Sequence, residues 1–167
     1  MYKLLTIFVY FTLGCGLFVS KQSDDSGFDL IFKYGVGARN ELNTFEGTYT
    51  KDMVIDPPIT ADLSLTQEEL DGIYQRMLEI NFFEYPDTFS VFVEAGEDVA
   101  YFTPFSTYYF KILYDSKIKE LWWSDNIFKA EDDEKANGLR ELIKFIREIV
   151  ESKEEYKNLP PARGGYF

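Results

Sequence analysis

The chain has 167 residues, a formal net charge of -12, no histidine and a single cysteine. Without histidine there is no Ser-His-Asp or Cys-His triad, and zinc sites built on histidine and cysteine are excluded. The acidic balance argues against nucleic acid, whose phosphates need basic patches to neutralise them.

The sequence opens Met1-Tyr2-Lys3 and then runs from Leu4 to Leu13 without a charge. A positive residue followed by a short apolar stretch is the order of a secretory signal. The sole cysteine, Cys15, follows directly in Leu13-Gly14-Cys15-Gly16, so no intrachain disulfide is possible. A cysteine after glycine at the end of such a run resembles the lipobox of bacterial lipoproteins, in which it is diacylated and becomes the mature N-terminus. Thr12 and Leu13 stand where a lipobox has leucine and a small residue. Two other outcomes stay open: ordinary cleavage at the small residues Gly14 and Gly16, or retention of Leu4 to Ser20 as a helix of near-minimal spanning length. The expected organisation is a signal peptide over residues 1–14, a lipid-anchored cysteine and polar tether over 15–27, and one domain over 28–167. Removing the signal takes away Lys3 and no acid, which leaves the mature chain more acidic still.

Sixteen Phe, twelve Tyr and two Trp favour sheet. Phe28, Leu30, Phe32 and Tyr34 alternate with Asp29, Ile31 and Lys33, which predicts a half-buried strand. A polar turn is expected at Arg39 to Asn43, then a second strand with Phe45, Gly47 and Tyr49 on one face. Pro57-Pro58 interrupts, and Ile59, Ala61 and Leu63 predict a third strand, at whose start proline is tolerated. Thr66 and Glu69 form a capping box, Leu65 and Leu70 a hydrophobic staple, and Leu70, Ile73, Tyr74, Met77 and Leu78 lie on one helical face. Residues 84 to 100 read as an irregular loop with at most a short strand. Tyr108 to Tyr114, a turn at Asp115-Ser116 and Ile118 to Trp123 predict a hairpin. A last helix is expected over about Asp133 to Ser152, with Leu139, Leu142, Ile143, Ile146, Ile149 and Val150 inward and Gly138 weakening its first turns. Lys157 to Phe167 reads as an extended tail. The order β-β-β-α-β-β-α implies an α+β domain: a mainly antiparallel sheet of about five strands with two helices on one face.

With the lipobox-like start, the segments Gly47 to Val54, Leu65 to Tyr74 and Tyr108 to Tyr114, and the Leu159-Pro160-Pro161 tail, resemble those of uncharacterised bacterial lipoproteins. That resemblance implies an address and no activity.

Few residues point to chemistry. Gly35-Val36-Gly37 lacks the third glycine and the helix of a dinucleotide site, and no phosphate loop is present. Glu94, Glu97 and Asp98 do not follow the spacing of a calcium loop and read as solvated acids, so no metal or cofactor is expected. Glu131 to Glu134 reads as the acidic first turn of the last helix. Trp122 and Trp123, adjacent on a strand, must point to opposite faces, so one is exposed if only one face of the sheet is covered. They are the candidate ligand or partner contacts, with no catalytic residue assigned. The expectation is a non-enzymatic, lipid-anchored binding or structural module on the outer face of a bacterial membrane, whose partner is an envelope protein or a glycan. The alternative is a carboxylate-dependent enzyme acting on cell-wall glycan.

The anchor yields the first prediction. Stable attachment needs two or more acyl chains at Cys15. Cys15→Ala is expected to abolish incorporation of labelled fatty acid and to leave either uncleaved precursor or released protein. A wild-type chain that takes up no label, and a variant that fractionates like it, would rule the lipoprotein reading out.

Overall fold

A computed structural model describes residues 27–129 and 133–167. The signal segment, Cys15 and the tether up to Ser26 lie outside the described residues, as do Glu131 and Asp132.

Seven strands form one sheet: β1 (Asp29–Tyr34), β2 (Asn40–Asn43), β3 (Thr48–Met53), β4 (Asp56–Asp62), β5 (Thr88–Phe89), β6 (Val99–Tyr114) and β7 (Lys117–Lys129). Their order across the sheet is β4-β3-β2-β1-β6-β7-β5. Every pairing is antiparallel except β5 with β7, which is parallel. Three helices, α1 (Gln67–Glu79), α2 (Glu134–Ser152) and the single turn α3 (Glu154–Lys157), complete an α+β fold. The sheet thus has two more strands than expected and is mixed, and there is a third helix.

The differences have local causes. The expected polar turn at Arg39 to Asn43 is β2, a short strand with one apolar residue, Leu42, too brief to show alternation. The turn falls at residues 44–47 instead. There Gly47 has φ 64°, and a Cβ on it would lie 2.8 Å from the Ser64 hydroxyl. Pro57 and Pro58 do not interrupt a strand but lie inside β4. They are tolerated because β4 is an edge strand with no neighbour beyond it to require their N–H groups. The hairpin β6–β7 is longer than its central alternation suggested. Its tight turn holds Asp115 and Ser116 at φ 45° and 59°, as the two-residue type I′ connection requires.

One face of the sheet carries the core. Phe28, Leu30, Phe32, Leu42, Tyr49, Phe110, Ile112, Leu121 and Trp123 are buried from the strands, and Ile73, Met77, Leu139, Leu142, Ile143, Ile146 and Val150 from the helices. Leu70 and Tyr74 are partly buried against this core, whereas Leu78 is exposed and does not join it. At the rim of the apolar stripe, one more residue along α1 already faces water. Gly138 does not break α2: a Cβ there would meet Ile80 at 3.3 Å, so its absence lets the start of α2 approach the end of α1. Asp133 caps α2, accepting from the Ala136 amide at 2.9 Å, and Glu134 is the acid of its first turn.

The expected tail, Lys157 to Phe167, leaves the end of α3 and straps the β3–β4 edge. Tyr156 packs edge-on against Tyr49 at 5.5 Å, and Lys51 Nζ donates to the Pro160 carbonyl at 3.0 Å. Arg163 forms a parallel bridge with Val54 and a two-pronged contact to Asp56 at 2.8 and 2.5 Å. Tyr166 donates to Asp52 and accepts from Arg39 at 3.1 Å.

The capping box forms as expected: the Glu69 amide donates to Thr66 Oγ1 at 3.3 Å, and the Thr66 amide to Glu69 Oε2 at 2.7 Å. Lys153, at the end of α2, donates to the same carboxylate oxygen at 2.6 Å. Burial alone would raise the Glu69 pKa, but the Lys153 and Thr66 contacts outweigh it and hold the group below the ordinary glutamate value of 4.5. A depressed carboxylate stabilises the fold above 4.5, and that contribution is lost as pH falls through the folded-state value. Thr66→Ala should therefore cost about 1 kcal/mol in denaturant melts at neutral pH. Glu69→Gln should make stability less steep in acid below that value; an unchanged acid limb would show that the junction carries no such linkage.

Candidate binding surface

With both long helices on one face, the opposite face of the sheet has no helix on it. Cross-strand register places Lys33, Ile31, Tyr109, Lys111, Leu113, Ile118, Glu120 and Trp122 there. Trp122 and Trp123 point to opposite faces, since Trp122 is 45% exposed and Trp123 is 1% exposed. The structure therefore does not bring the two candidate contacts together. Trp123 is a core residue, in ring contact with Phe89 at 5.6 Å and Tyr108 at 5.4 Å. Arg140 lies over its ring at 5.4 Å while gripping Asp125 at 2.7 and 3.1 Å. The Trp123 indole N–H is buried without a hydrogen-bond partner.

Trp122 is held rather than loose. Its ring lies 4.4 Å from Tyr109 with 35° between the planes, and Thr88 of β5 is its strand neighbour on the other side. Burial and the hydrogen-bonded, negatively charged Glu120 carboxylate push the Tyr109 pKa up, so its phenol stays a neutral donor. Lys33 pairs with Glu41 at 2.8 Å, and Lys111 faces Glu120 across β6 and β7. Beside this platform Ile31, Phe45, Lys111, Leu113 and Ile118 line a groove of about 210 Å³. Ile118 and Phe45 are 63% and 45% exposed. Sequence reasoning assigned Ile31 only to the outward alternation of β1. Its apolar character on an otherwise polar face was the signal for the groove.

The acidic loop is self-satisfied. Glu97 pairs with Lys129 at 2.7 Å and accepts from the Glu94 amide at 2.8 Å, and the Lys129 contact holds its pKa below the usual carboxylate range. Among the described residues no group of three or more Asp, Glu or Cys side chains is placed to hold a metal ion.

A second concavity, of about 540 Å³, was not foreseen. It lies between the end of α1 and the start of α2, with Glu79 and Glu84 on one side, Glu134 and Glu141 on the other, and Tyr85 within. No sequence spacing pointed to it, because its two walls are some fifty residues apart and meet only through helix packing. The Tyr85 hydroxyl donates to the Lys135 carbonyl at 2.9 Å. Among buried phenols, Tyr34 and Tyr49 share a 2.7 Å hydrogen bond, and burial raises Tyr34 to about 12 and Tyr49 further. Neither supplies proton chemistry near neutral pH.

A comparison with models of known protein families finds none that matches this chain, and no curated protein matches it in sequence. Among the described residues no helix is long and apolar enough to cross a membrane.

The contrast between the two indoles is directly measurable. Wild-type tryptophan emission should contain one fraction that acrylamide quenches readily and one that it does not. Trp122→Phe should remove the accessible fraction and leave blue-shifted emission from Trp123; an equally quenchable variant would contradict the burial of Trp123.

Proposed function

We propose that this chain is a non-enzymatic binding module, lipid-anchored through Cys15 at the outer face of a bacterial membrane, that engages its partner with the uncovered face of its sheet. The observation that carries the reading is the exposed Trp122, packed at a tilt against Tyr109 beside the Ile31–Phe45–Leu113–Ile118 groove. A soluble domain gains nothing by presenting a large ring and an apolar groove to water, and such clustered exposure marks an interaction site. The anchor reading is supported by the order Lys3, apolar run and sole cysteine. A polar tether up to Gly27 supplies reach between the bilayer and β1.

The carboxylate-dependent enzyme is kept as a second reading by one feature, the groove with glutamates on both walls. Concavity with facing acids is the arrangement that glycoside hydrolysis uses.

The two readings separate cleanly. The lipidated wild type, recovered from membranes, is expected to co-purify with a saturable envelope partner. Trp122→Ala combined with Ile118→Ser should abolish that recovery at unchanged melting temperature. Glu84→Gln with Glu141→Gln should leave it intact. If instead the glutamine pair eliminates a glycan-degrading activity that the Trp122 variant retains, the enzyme reading replaces the binding module.

A further inference from the structure

We infer that the end of the sheet carrying the Ile31–Phe45–Leu113–Ile118 groove rests on the surface of the bilayer to which the chain is anchored, with Ile118 and Phe45 entering the headgroup layer. The inference rests on the anchor in the proposed function and adds a second, non-covalent contact with lipid.

The chain enters the domain where the groove lies. β1 begins at Asp29, which is paired with Leu113 of β6, and Leu113 is paired in turn with Ile118 of β7. Two strand spacings of about 4.8 Å therefore separate the start of β1 from Ile118. The β2–β3 turn is tied to the same place. The Leu30 amide donates to Thr44 Oγ1 at 2.9 Å, and that hydroxyl donates to Asp29 at 2.8 Å, which sets Phe45 beside the entry.

The reach of the tether selects the occupant. Twelve residues, 16–27, separate Cys15 from Phe28, and fully extended they would span at most about 40 Å. Retention of Leu4 to Ser20 as a spanning helix would shorten the link to 21–27. A connection this short holds the groove at an effective concentration on the order of millimolar with respect to lipid. A diffusing protein has no such advantage, and it would have to enter the gap between domain and headgroups to reach the groove. Tyr101 and Phe128, the other strongly exposed aromatics of the β6–β7 hairpin, lie at its far end. Ten positions along β7 part Ile118 from Phe128, about 33 Å of strand.

The side chains suit the layer they would meet. Ile118 is 63% exposed and Phe45 45%, so both tips are free to leave water. Lys111 lines the groove and Lys117 is exposed at the turn. Lysine stems lie along apolar surface while their ammonium groups stay among the phosphates. The whole chain carries -12 and is repelled by anionic headgroups, so burial of apolar area drives this contact. Trp122, about 13 Å further along β7, is left to the partner.

The test uses the lipidated chain, purified from membranes and reconstituted alone into phosphatidylcholine vesicles whose acyl chains are brominated and quench tryptophans that touch them. In a Trp122→Phe background, Ile118→Trp should lose its emission relative to unbrominated vesicles and leave the component from buried Trp123. Phe128→Trp in the same background should lose none. Adding phosphatidylglycerol should weaken the quenching at low salt, and raising the salt should restore it. Phe45→Ser with Ile118→Ser should speed trypsin cleavage after Lys21 on plain vesicles, at unchanged melting temperature. An unquenched Ile118→Trp overturns the inference, and a Lys21 that is still protected in that case assigns the groove to the tether itself. A Phe128→Trp quenched as strongly as Ile118→Trp overturns it too. The acyl mass on Cys15, read on the same sample, separates the two levels. An acylated, vesicle-bound chain with an unquenched Ile118→Trp sinks this contact alone; a chain that carries no acyl group and leaves the vesicles sinks the anchor with it.

Discussion

Two amphipathic helices can cover only one face of a seven-stranded sheet, and the rest of the molecule follows from that limit. β1 is central, between β2 and β6, and its buried residues Leu30, Phe32 and Tyr34 all face the helices. Phe32 stacks on Phe110 at 4.8 Å, and Phe110 meets Phe82 at 5.2 Å, so aromatic contacts run from the middle of the sheet to the end of α1. The apolar stripe of α2 closes over them. Burying one face removes enough apolar area to drive folding, roughly 25 cal/mol for each Å². The other face must then live with water, which it does with paired charges and threonines except around Trp122 and the groove.

The helices are tied together as well as down. Glu69 belongs both to the cap of α1 and, through Lys153, to the end of α2. One carboxylate therefore ties the start of one helix to the end of the other. Beyond that point the chain turns into α3 and the strap, whose contacts with Asp52, Asp56 and Lys51 guard the β3–β4 edge. The unpaired edge of a sheet is a template for unwanted pairing, and here the prolines of β4 and the strap blunt it. The strap runs along that edge and away from Trp122, so the platform stays free.

On the proposed reading, function is a property of the uncovered face. The buried phenols are too strongly shifted to move protons near neutral pH, and the acids of the 94–98 loop are taken up by Lys129 and a backbone amide. A ring held in place on an open face is suited to recognition. The proposed binding role calls for no catalytic group, and the absence of histidine is compatible with it.

Much of this was legible in one dimension, where the governing interactions are local. The cap at Thr66, the stripe of α2, the alternation of β1 and the turn at Asp115-Ser116 each depend on residues within a few positions of one another. Adjacency on a strand also required that Trp122 and Trp123 face opposite ways. Which of them met water was undecided, because that depends on where the helices pack. β2 reads as a turn and β5 only as a short strand within an irregular loop: four and two residues are too few for a period, and they exist as strands only because β1 and β7 offer them partners. That β4, with Pro57 and Pro58 near its start, is an edge strand is likewise a fact about neighbours. The acidic groove and the apolar groove are assembled from segments far apart in sequence. Local propensity and patterning thus determined the elements, while the shortage of helix to cover a wide sheet, a purely tertiary constraint, decided which residues became a surface.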